Sequence, residues 1–252
     1  MLLLVTDTSG KDGFVGLATA GHGHRPDRIE VIEEVPLAGG TFSAQLVPQI
    51  SGLLEKHNFR KSEIGAFIVV SGPGSFTGLR VGLAAIKALA EILRKPIVPV
   101  SLLDILAAST PAIAVREDSP DRATFHYAVA LDASRGEVFL GEYEASSNRD
   151  LIPNLLGESL LSLDNLAALL ESGVVRWIST PDQTVFDALG NRVTEAKKRC
   201  IRRTLRRPRS EEVAIVGWRR LNAGETVSPE QLEANYIRRS DAEIFSKPTP
   251  RS

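Results

Sequence analysis

Apolar positions along this chain follow two periods in turn. Residues 2–6 form a short apolar run ending in polar residues and glycine, which predicts a buried central strand. Residues 14–19 and 29–35 read as the next two strands, separated by polar or glycine-rich turns. Over residues 43–57 the period becomes helical. Leu46, Val47, Ile50, Leu53 and Leu54 recur at three- and four-residue steps, Ser43 stands as N-cap, and Pro48 predicts a kink or a later start. Residues 66–70 then predict a buried strand, 77–93 a helix ended ahead of Pro96, 97–100 a strand and 102–108 a helix.

Residues 109–123 carry Pro111, Pro120 and mixed charges and predict a linker. A second strand-rich block follows at 126–131 and 138–143, then a helix at 163–171, a strand at 174–179 and a helix at 211–223. The closing SKPTPRS predicts disorder. The expected partition is a first lobe at 1–108, a second at 109–223 and a C-terminal extension at 224–252.

Composition narrows the function class. Of 252 residues, 43% are hydrophobic, enough for a sizeable core, and the net charge of −1 gives no global pull toward nucleic acid or membrane. The single cysteine, Cys200, excludes an internal disulfide framework and a multi-cysteine zinc site, and fits a reducing compartment. The N-terminal run lacks a basic region and ends in Asp7, which reads as a strand rather than a signal peptide. A cytoplasmic protein without a membrane span is expected. The histidines His22, His24, His57 and His126 show no metal-ligand spacing beyond the His22–His24 pair in a glycine-rich turn, so no metal site is expected.

Two stretches resemble each other. LLVTDTSGKDGFVGL, from Leu3, aligns with AVALDASRGEVFLGE, from Ala128, so that Asp7 meets Asp132, Ser9 meets Ser134, Phe14 meets Phe139 and Gly16 meets Gly141. Either the chain is an internal duplication, or these are two ordinary strand–turn–strand units rich in turn-forming Asp and Ser. A tandem pair of such units resembles the actin-like and sugar-kinase-like (ASKHA) superfold, in which a nucleotide sits between the halves. Asp7, Thr8 and Ser9 could organise a metal ion or water and turn backbone N–H groups toward phosphate. The second copy, around Asp132, has its only glycine late in the turn. A vestigial rather than competent nucleotide site is expected.

The stretch GPGSFTGLRVGLAAIKALA, from Gly72, joins a glycine-rich turn to a helix. The turn could cradle an anion at a helix N-terminus. It lacks the Gly-Lys-Ser/Thr of a phosphate loop, and a tight strand-to-helix turn capped by Ser75 or Thr77 is favoured. In the helix, Gly78 and Gly82 lie on one face continued by Ala85 and Leu89. Each helical glycine costs about 1 kcal/mol relative to alanine, so close packing should compensate. With Leu79 and Ile86, the helix is apolar on nearly all sides, which predicts cover by two layers of its own chain or by a partner. The run KKRCIRRTLRRPR carries eight cations and no acid. Lys197, Lys198, Arg202, Arg203 and Arg206 are candidate RNA-phosphate contacts, against the commoner solvated face.

With these residues laid out, the chain resembles the TsaB (YeaZ) family. That family supplies the dimerisation subunit of the bacterial complex that makes threonylcarbamoyladenosine at position 37 of tRNAs decoding ANN codons. The glycine turn and its helix carry the match most specifically. VTDTS, SAQLVPQISGLL, PIVPVSLLDILA, ALDASRGEVFLGEY and, near the C-terminus, NYIRRSDAE support it. The chain departs from the family at Phe42-Ser43 and at Asp132-Ala133-Ser134.

The resemblance implies a non-catalytic scaffold. It would pair with a TsaD-type catalytic subunit through Ser43, Leu46, Val47, Ile50, Leu54, Gly78, Leu79, Gly82, Ala85, Ile86 and Leu89. It would form a homodimer when alone, and help recruit a TsaE-type ATPase and tRNA. ATP and a metal ion are expected on those partners, with no cofactor on this chain. The catalytic paralogue's His-x-x-x-His pair would fall on Leu102 and Leu106, which cannot bind metal. The alternative class is a small ATP-dependent phosphotransferase or ATPase of the same superfold, using Asp7 and Asp132. A metallopeptidase is suggested only by the family's "glycoprotease" label and is discounted.

Overall fold

The structure, a computed structural model, describes residues 1–21, 28–109, 124–146, 153–203 and 207–238. The first sheet contains β1 (Leu2–Asp7), β2 (Gly13–Ala20), β3 (Ile29–Leu37), β4 (Ile64–Gly72) and β5 (Ile97–Ser101). Helices α1 (Phe42–Lys56) and α2 (Phe76–Leu93) connect β3 to β4 and β4 to β5, and α3 (Leu102–Ser109) follows at once. The second sheet contains β6 (Thr124–Asp132), β7 (Glu137–Ser146), β8 (Asn154–Ser162), β9 (Ile178–Thr180) and β10 (Ile201–Arg203). Between β8 and β10 lie α4 (Leu163–Ser172), α5 (Gln183–Gly190) and the single turn α6 (Glu195–Lys198); α7 (Ser210–Asn222) comes last.

In space the strands run β3-β2-β1-β4-β5 and β8-β7-β6-β9-β10, so by order of appearance each sheet reads 3-2-1-4-5. The first three strands of each set pair antiparallel and the remaining pairs are parallel. The two units therefore form a structural duplicate, and the fold is the two-lobed actin-like, sugar-kinase-like α/β architecture. The sequence alignment slips by one residue beyond the turn, however. Asp7 pairs with Phe14, whereas Asp132 pairs with Val138 and Phe139 pairs with Leu131. The cause is the turn, residues 8–12 in the first unit and the shorter 133–136 in the second.

Strand alternation sorts the core into layers. Leu3 and Val5 join a central cluster, while Leu2 and Leu4 meet α1 and α2 on the outer face. Tyr127, Val129 and Leu131 face the same central cluster, and Ala128 and Ala130 meet α4 and α5. The central layer is made by α3 and α7. α3 packs on β6 and β7 as well as on β4 and β5, and α7 lies across all five strands of the first sheet. Residues 210–222 thus follow the second sheet in sequence but cover the first, which departs from the partition that assigned 109–223 to one lobe. Val213 and Val216 are buried there, each worth roughly 1.5–3 kcal/mol.

Several local expectations are revised. The residue before α1 is Thr41, not Ser43, and it makes no side-chain cap; Pro48 lies inside one continuous helix on the exposed side. Pro48 cannot donate to the carbonyl of Ala44, and both residues are exposed. The strand expected at 174–179 is confined to Ile178–Thr180, and β8 and α5 had no expectation. β8 is an edge strand exposed or half-exposed along its length, so it shows no apolar alternation. The expected linker beyond residue 109 and the C-terminal SKPTPRS lie outside the described residues. Among the described residues, no helix is long and apolar enough to cross a membrane.

One buried polar cluster ties the layers together. The Asp104 carboxylate on α3 accepts the Tyr143 hydroxyl of β7 at 2.8 Å and an Nη2–H from Arg220 of α7. Arg220 Nη1 also donates to the Pro99 carbonyl at 2.9 Å, and the Tyr127 hydroxyl donates to the Ala107 carbonyl at 3.0 Å. Burial, reinforced by the Asp104 charge, holds both phenols far above the ordinary tyrosine range, so they stay protonated and act as donors. Arg220→Ala should leave Asp104 buried without its cation and cost about 3 kcal/mol, read as a lower urea midpoint at unchanged slope.

Candidate functional site

The two aspartate turns begin alike. Asp7 Oδ1 accepts the Ser9 N–H at 2.8 Å and Asp132 Oδ1 accepts the Ser134 N–H at 2.7 Å, the same side-chain-to-backbone turn. The register slip then separates them. Asp7 lies on the face of Leu3 and Val5, is 8% exposed, and burial pushes its carboxyl up against the lowering effect of the Ser9 hydrogen bonds. Asp132 lies on the alternate face with Ala128 and Ala130 and is exposed. Its Oδ2 accepts the Thr184 hydroxyl at 3.2 Å, and its N–H donates to Asp182 Oδ2 at 2.7 Å. It is held by its own lobe rather than turned toward Asp7.

A cleft of about 320 Å³ separates the turns, lined among others by Ser9, Ser75, Asp132, Arg207 and Arg238. Its two arginines are engaged: Arg207 with Asp182 at 3.3 Å, and Arg238 with Glu137. Ser134, Arg135 and Gly136 all take left-handed backbone angles, so the second turn is already committed to one tight path. Among the described residues, no group of three or more His, Cys, Asp or Glu side chains could hold a metal ion.

The glycine turn before α2 is packed on the first aspartate turn. The Ser75 N–H donates to the Ser9 carbonyl at 2.7 Å, and the Ser75 hydroxyl accepts the Gly78 N–H at 3.3 Å as the helix cap. A Cβ on Gly74 would stand 2.2 Å from the Ser9 carbonyl oxygen. This is a strand-to-helix junction fastened to its neighbour, as the capped-turn expectation has it.

The glycines of α2 face inward. A Cβ at Gly78 would lie 2.1 Å from the Thr8 carbonyl oxygen, and one at Gly82 would lie 2.1 Å from the Thr8 hydroxyl. The compensation for two helical glycines is therefore contact with the end of β1, not with a partner. Leu46, Ile50, Leu54, Leu79 and Ile86 are buried against the same sheet. Of the eleven residues expected at a helical interface, these seven belong to the core. Ser43 and Val47 are exposed and Ala85 and Leu89 half-buried.

The surface that α1 and α2 leave open is rotated from the expected stripe. It carries Val47, Pro48, Ala84, Ala88 and Ile92, with half-buried Val81, Ala85 and Leu89 between; Val47 is 47% exposed and Ile92 77%. The four-residue steps from Arg80 to Ala84, Ala88 and Ile92 are the signal in the sequence that could have fixed this phase. In the basic run, Lys198 pairs with Glu195 at 2.6 Å and Arg209 with Glu34 at 3.4 Å. Lys197 is half-buried on α6, Arg202 and Arg203 belong to β10, and Arg206 lies outside the described residues.

Comparison with known proteins places these features. The family model described as TsaD, tRNA N6-adenosine threonylcarbamoyltransferase, matches residues 36–245. The chain is 26% identical over 245 residues to the tRNA threonylcarbamoyladenosine biosynthesis protein TsaB of Bacillus subtilis, covering 96% of each chain. It is 26% identical over 207 residues to the TsaB of Escherichia coli, covering 79% of this chain and 81% of that one. A solved structure of a protein described as similar to peptidase YEAZ from Pseudomonas aeruginosa superposes with a TM-score of 0.69 at 26% identity, over 94% of this chain and 99% of that one.

Two outcomes test the site geometry. Gly78→Ala gains about 1 kcal/mol of helix propensity but drives a Cβ into backbone, so a net loss of roughly 1–2 kcal/mol is expected by urea unfolding. Asp7 titrates above its unfolded value of 3.8. The folded state then binds the proton more tightly, and stability falls as pH rises from the ordinary aspartate range through the raised value. Asp7→Asn keeps an oxygen for the Ser9 N–H and removes that loss. Thermal melts from about pH 4 to about pH 7 should give the variant a flatter profile and the higher Tm at neutrality.

Proposed function

The chain belongs to the family described as TsaD, tRNA N6-adenosine threonylcarbamoyltransferase, on its TsaB (YeaZ) branch, and from that membership we propose that it serves threonylcarbamoyladenosine biosynthesis as a non-catalytic scaffold. Its work is to present the outer face of α1 and α2 to the metal-dependent TsaD-type subunit, which carries the transfer to adenosine 37 of tRNAs decoding ANN codons. In the absence of that subunit, a second copy of the chain takes its place. A TsaE-type ATPase and tRNA join the assembly, and ATP and the metal ion belong to the partners.

The observation that carries this proposal is the outer helix face. Small and aliphatic residues, Val47, Pro48, Ala84, Ala88 and Ile92, stand exposed across two adjacent helices whose other sides are fixed to the sheet. Small side chains on a rigid support let another helix pair approach closely, and the exposed apolar groups favour association. The scaffold role gains support from what stands elsewhere. Leu102 and Leu106, at the positions expected for the catalytic paralogue's metal-binding histidines, are buried in the central layer. Asp132 is committed to Thr184 and Asp182 rather than to a site shared with Asp7.

The test is co-purification of the chain with its TsaD-type subunit. Ala88→Arg places a charge in the middle of the face without touching the core. It should weaken the complex by about 2–3 kcal/mol, roughly 100-fold in Kd, while the melting temperature of the isolated chain stays within a degree or so. Unchanged binding would remove α2 from the interface. Tight ATP binding by the isolated chain, abolished by Asp7→Ala, would instead favour the ATP-dependent enzyme of the same superfold.

A further inference from the structure

The segment after α7 makes contacts out of proportion to its lack of regular structure. It first closes the edge of the first sheet, with the Val227 N–H donating to the Ile97 carbonyl at 2.9 Å. Leu232, 1% exposed, is then buried in the cluster beneath α1 and α2. The Asn235 N–H donates to the Ser71 carbonyl at the end of β4, at 2.7 Å. Tyr236 stacks on Phe76 of α2 with centroids 4.6 Å apart and planes 14° apart, and accepts Arg80 Nε–H on its hydroxyl at 3.1 Å. As far as Tyr236, the segment is anchored to the first lobe.

The same few residues also hold the second lobe. The Asn235 side-chain amide donates to Glu158 Oε2 of β8 at 2.6 Å, while Glu158 Oε1 accepts the Ser101 hydroxyl from the end of β5 at 2.6 Å. Ile237 packs on the central cluster. Arg238 donates to Glu137 at the start of β7 and to the Ser134 carbonyl at 3.5 Å, and its guanidinium lies 5.9 Å from the centre of the Phe139 ring. Arg238 also lines the cleft between the aspartate turns, where Arg207 is paired with Asp182.

We propose that residues 227–238 form a brace that fixes the angle between the two lobes, so that the lobes are held closed by the chain itself and not by a bound nucleotide. Asn235 and Arg238 are its two fasteners on the second lobe. In a two-lobed fold whose cleft is shut by ligand phosphates, the charges lining the cleft must be available to the ligand. Here the arginines of the cleft are matched by Asp182 and Glu137 from the second lobe. Closure therefore rests on ion pairs made within the chain, with Lys11 the remaining cation at the cleft, and the angle between the lobes becomes a fixed property of the protein, independent of what binds the outer face of α1 and α2.

The experiment measures that angle directly. Spin labels at Glu55→Cys on α1 and Ala168→Cys on α4, in a Cys200→Ser background, report the lobe-to-lobe distance by pulsed electron resonance. The full chain should give one narrow distribution that does not move when magnesium and ATP are added. The double variant Asn235→Ala, Arg238→Ala should give a broadened or lengthened distribution. If that variant does not fold, Glu137→Gln weakens the Arg238 fastening from the second lobe and leaves the segment itself intact, and it should broaden the distribution in the same sense. A distribution in the full chain that is broad, or that narrows or shifts with magnesium and ATP, overturns the brace. So does a folded variant whose distribution matches the parent's. None of these readings involves the TsaD-type subunit, so the brace can fail while the scaffold stands, and the reverse.

Discussion

A β-sheet has two faces, and in this molecule both sheets are apolar on both. Each needs cover twice. The outer faces are covered locally, by α1 and α2 on one lobe and α4 and α5 on the other. The inner faces share one layer of helices, and α7 returns from the second half of the chain to lie across the first sheet while α3 reaches the second. The lobes are thus not two beads on a string. Asp104, Tyr143 and Arg220 sit where α3, β7 and α7 meet, and their hydrogen bonds keep the buried Asp104 carboxylate satisfied.

From that central layer the rest is positioned. β1 is held by both faces, so the turn at Thr8 and Ser9 is a fixed object against which the start of α2 is packed through Gly74, Gly78 and Gly82. Loss of three Cβ atoms along this seam brings the helix close to the strand end. α2 then has no freedom to roll, and the residues it shows to solvent are determined by the residues it hides. A surface for a partner built on such a helix is preorganised, which limits the ordering cost of association.

The aspartate turns show how a duplicated architecture can lose the equivalence of its parts. A one-residue difference in turn length exchanges the faces on which Asp7 and Asp132 stand, because side chains on a strand alternate. One carboxylate is buried beside the central layer and the other is tied to α5 within its own lobe. The halves keep the same strand order and pairing while the pair of aspartates no longer converges.

Much of this was legible in the sequence. The apolar runs at 2–6 and 66–70, the helical spacing after Ser43 and after Ser75, and the repeated Asp-x-Ser each depend on near neighbours, and the structure has strands, helices and turns at those places. The family resemblance rested on the same local stretches. What the sequence could not assign was direction. Gly78 and Gly82 mark a close approach, but a missing Cβ looks the same whether the neighbour is Thr8 of the same chain or a second protein. The phase of α2, the partner sheet of α7, the one-residue register slip at Asp132 and the reach of Asn235 and Arg238 across both lobes all depend on residues distant in the chain. Periodicity dictates which elements form because it is local; only the tertiary structure decides what each face meets, because that is set by how both sheets find cover at once.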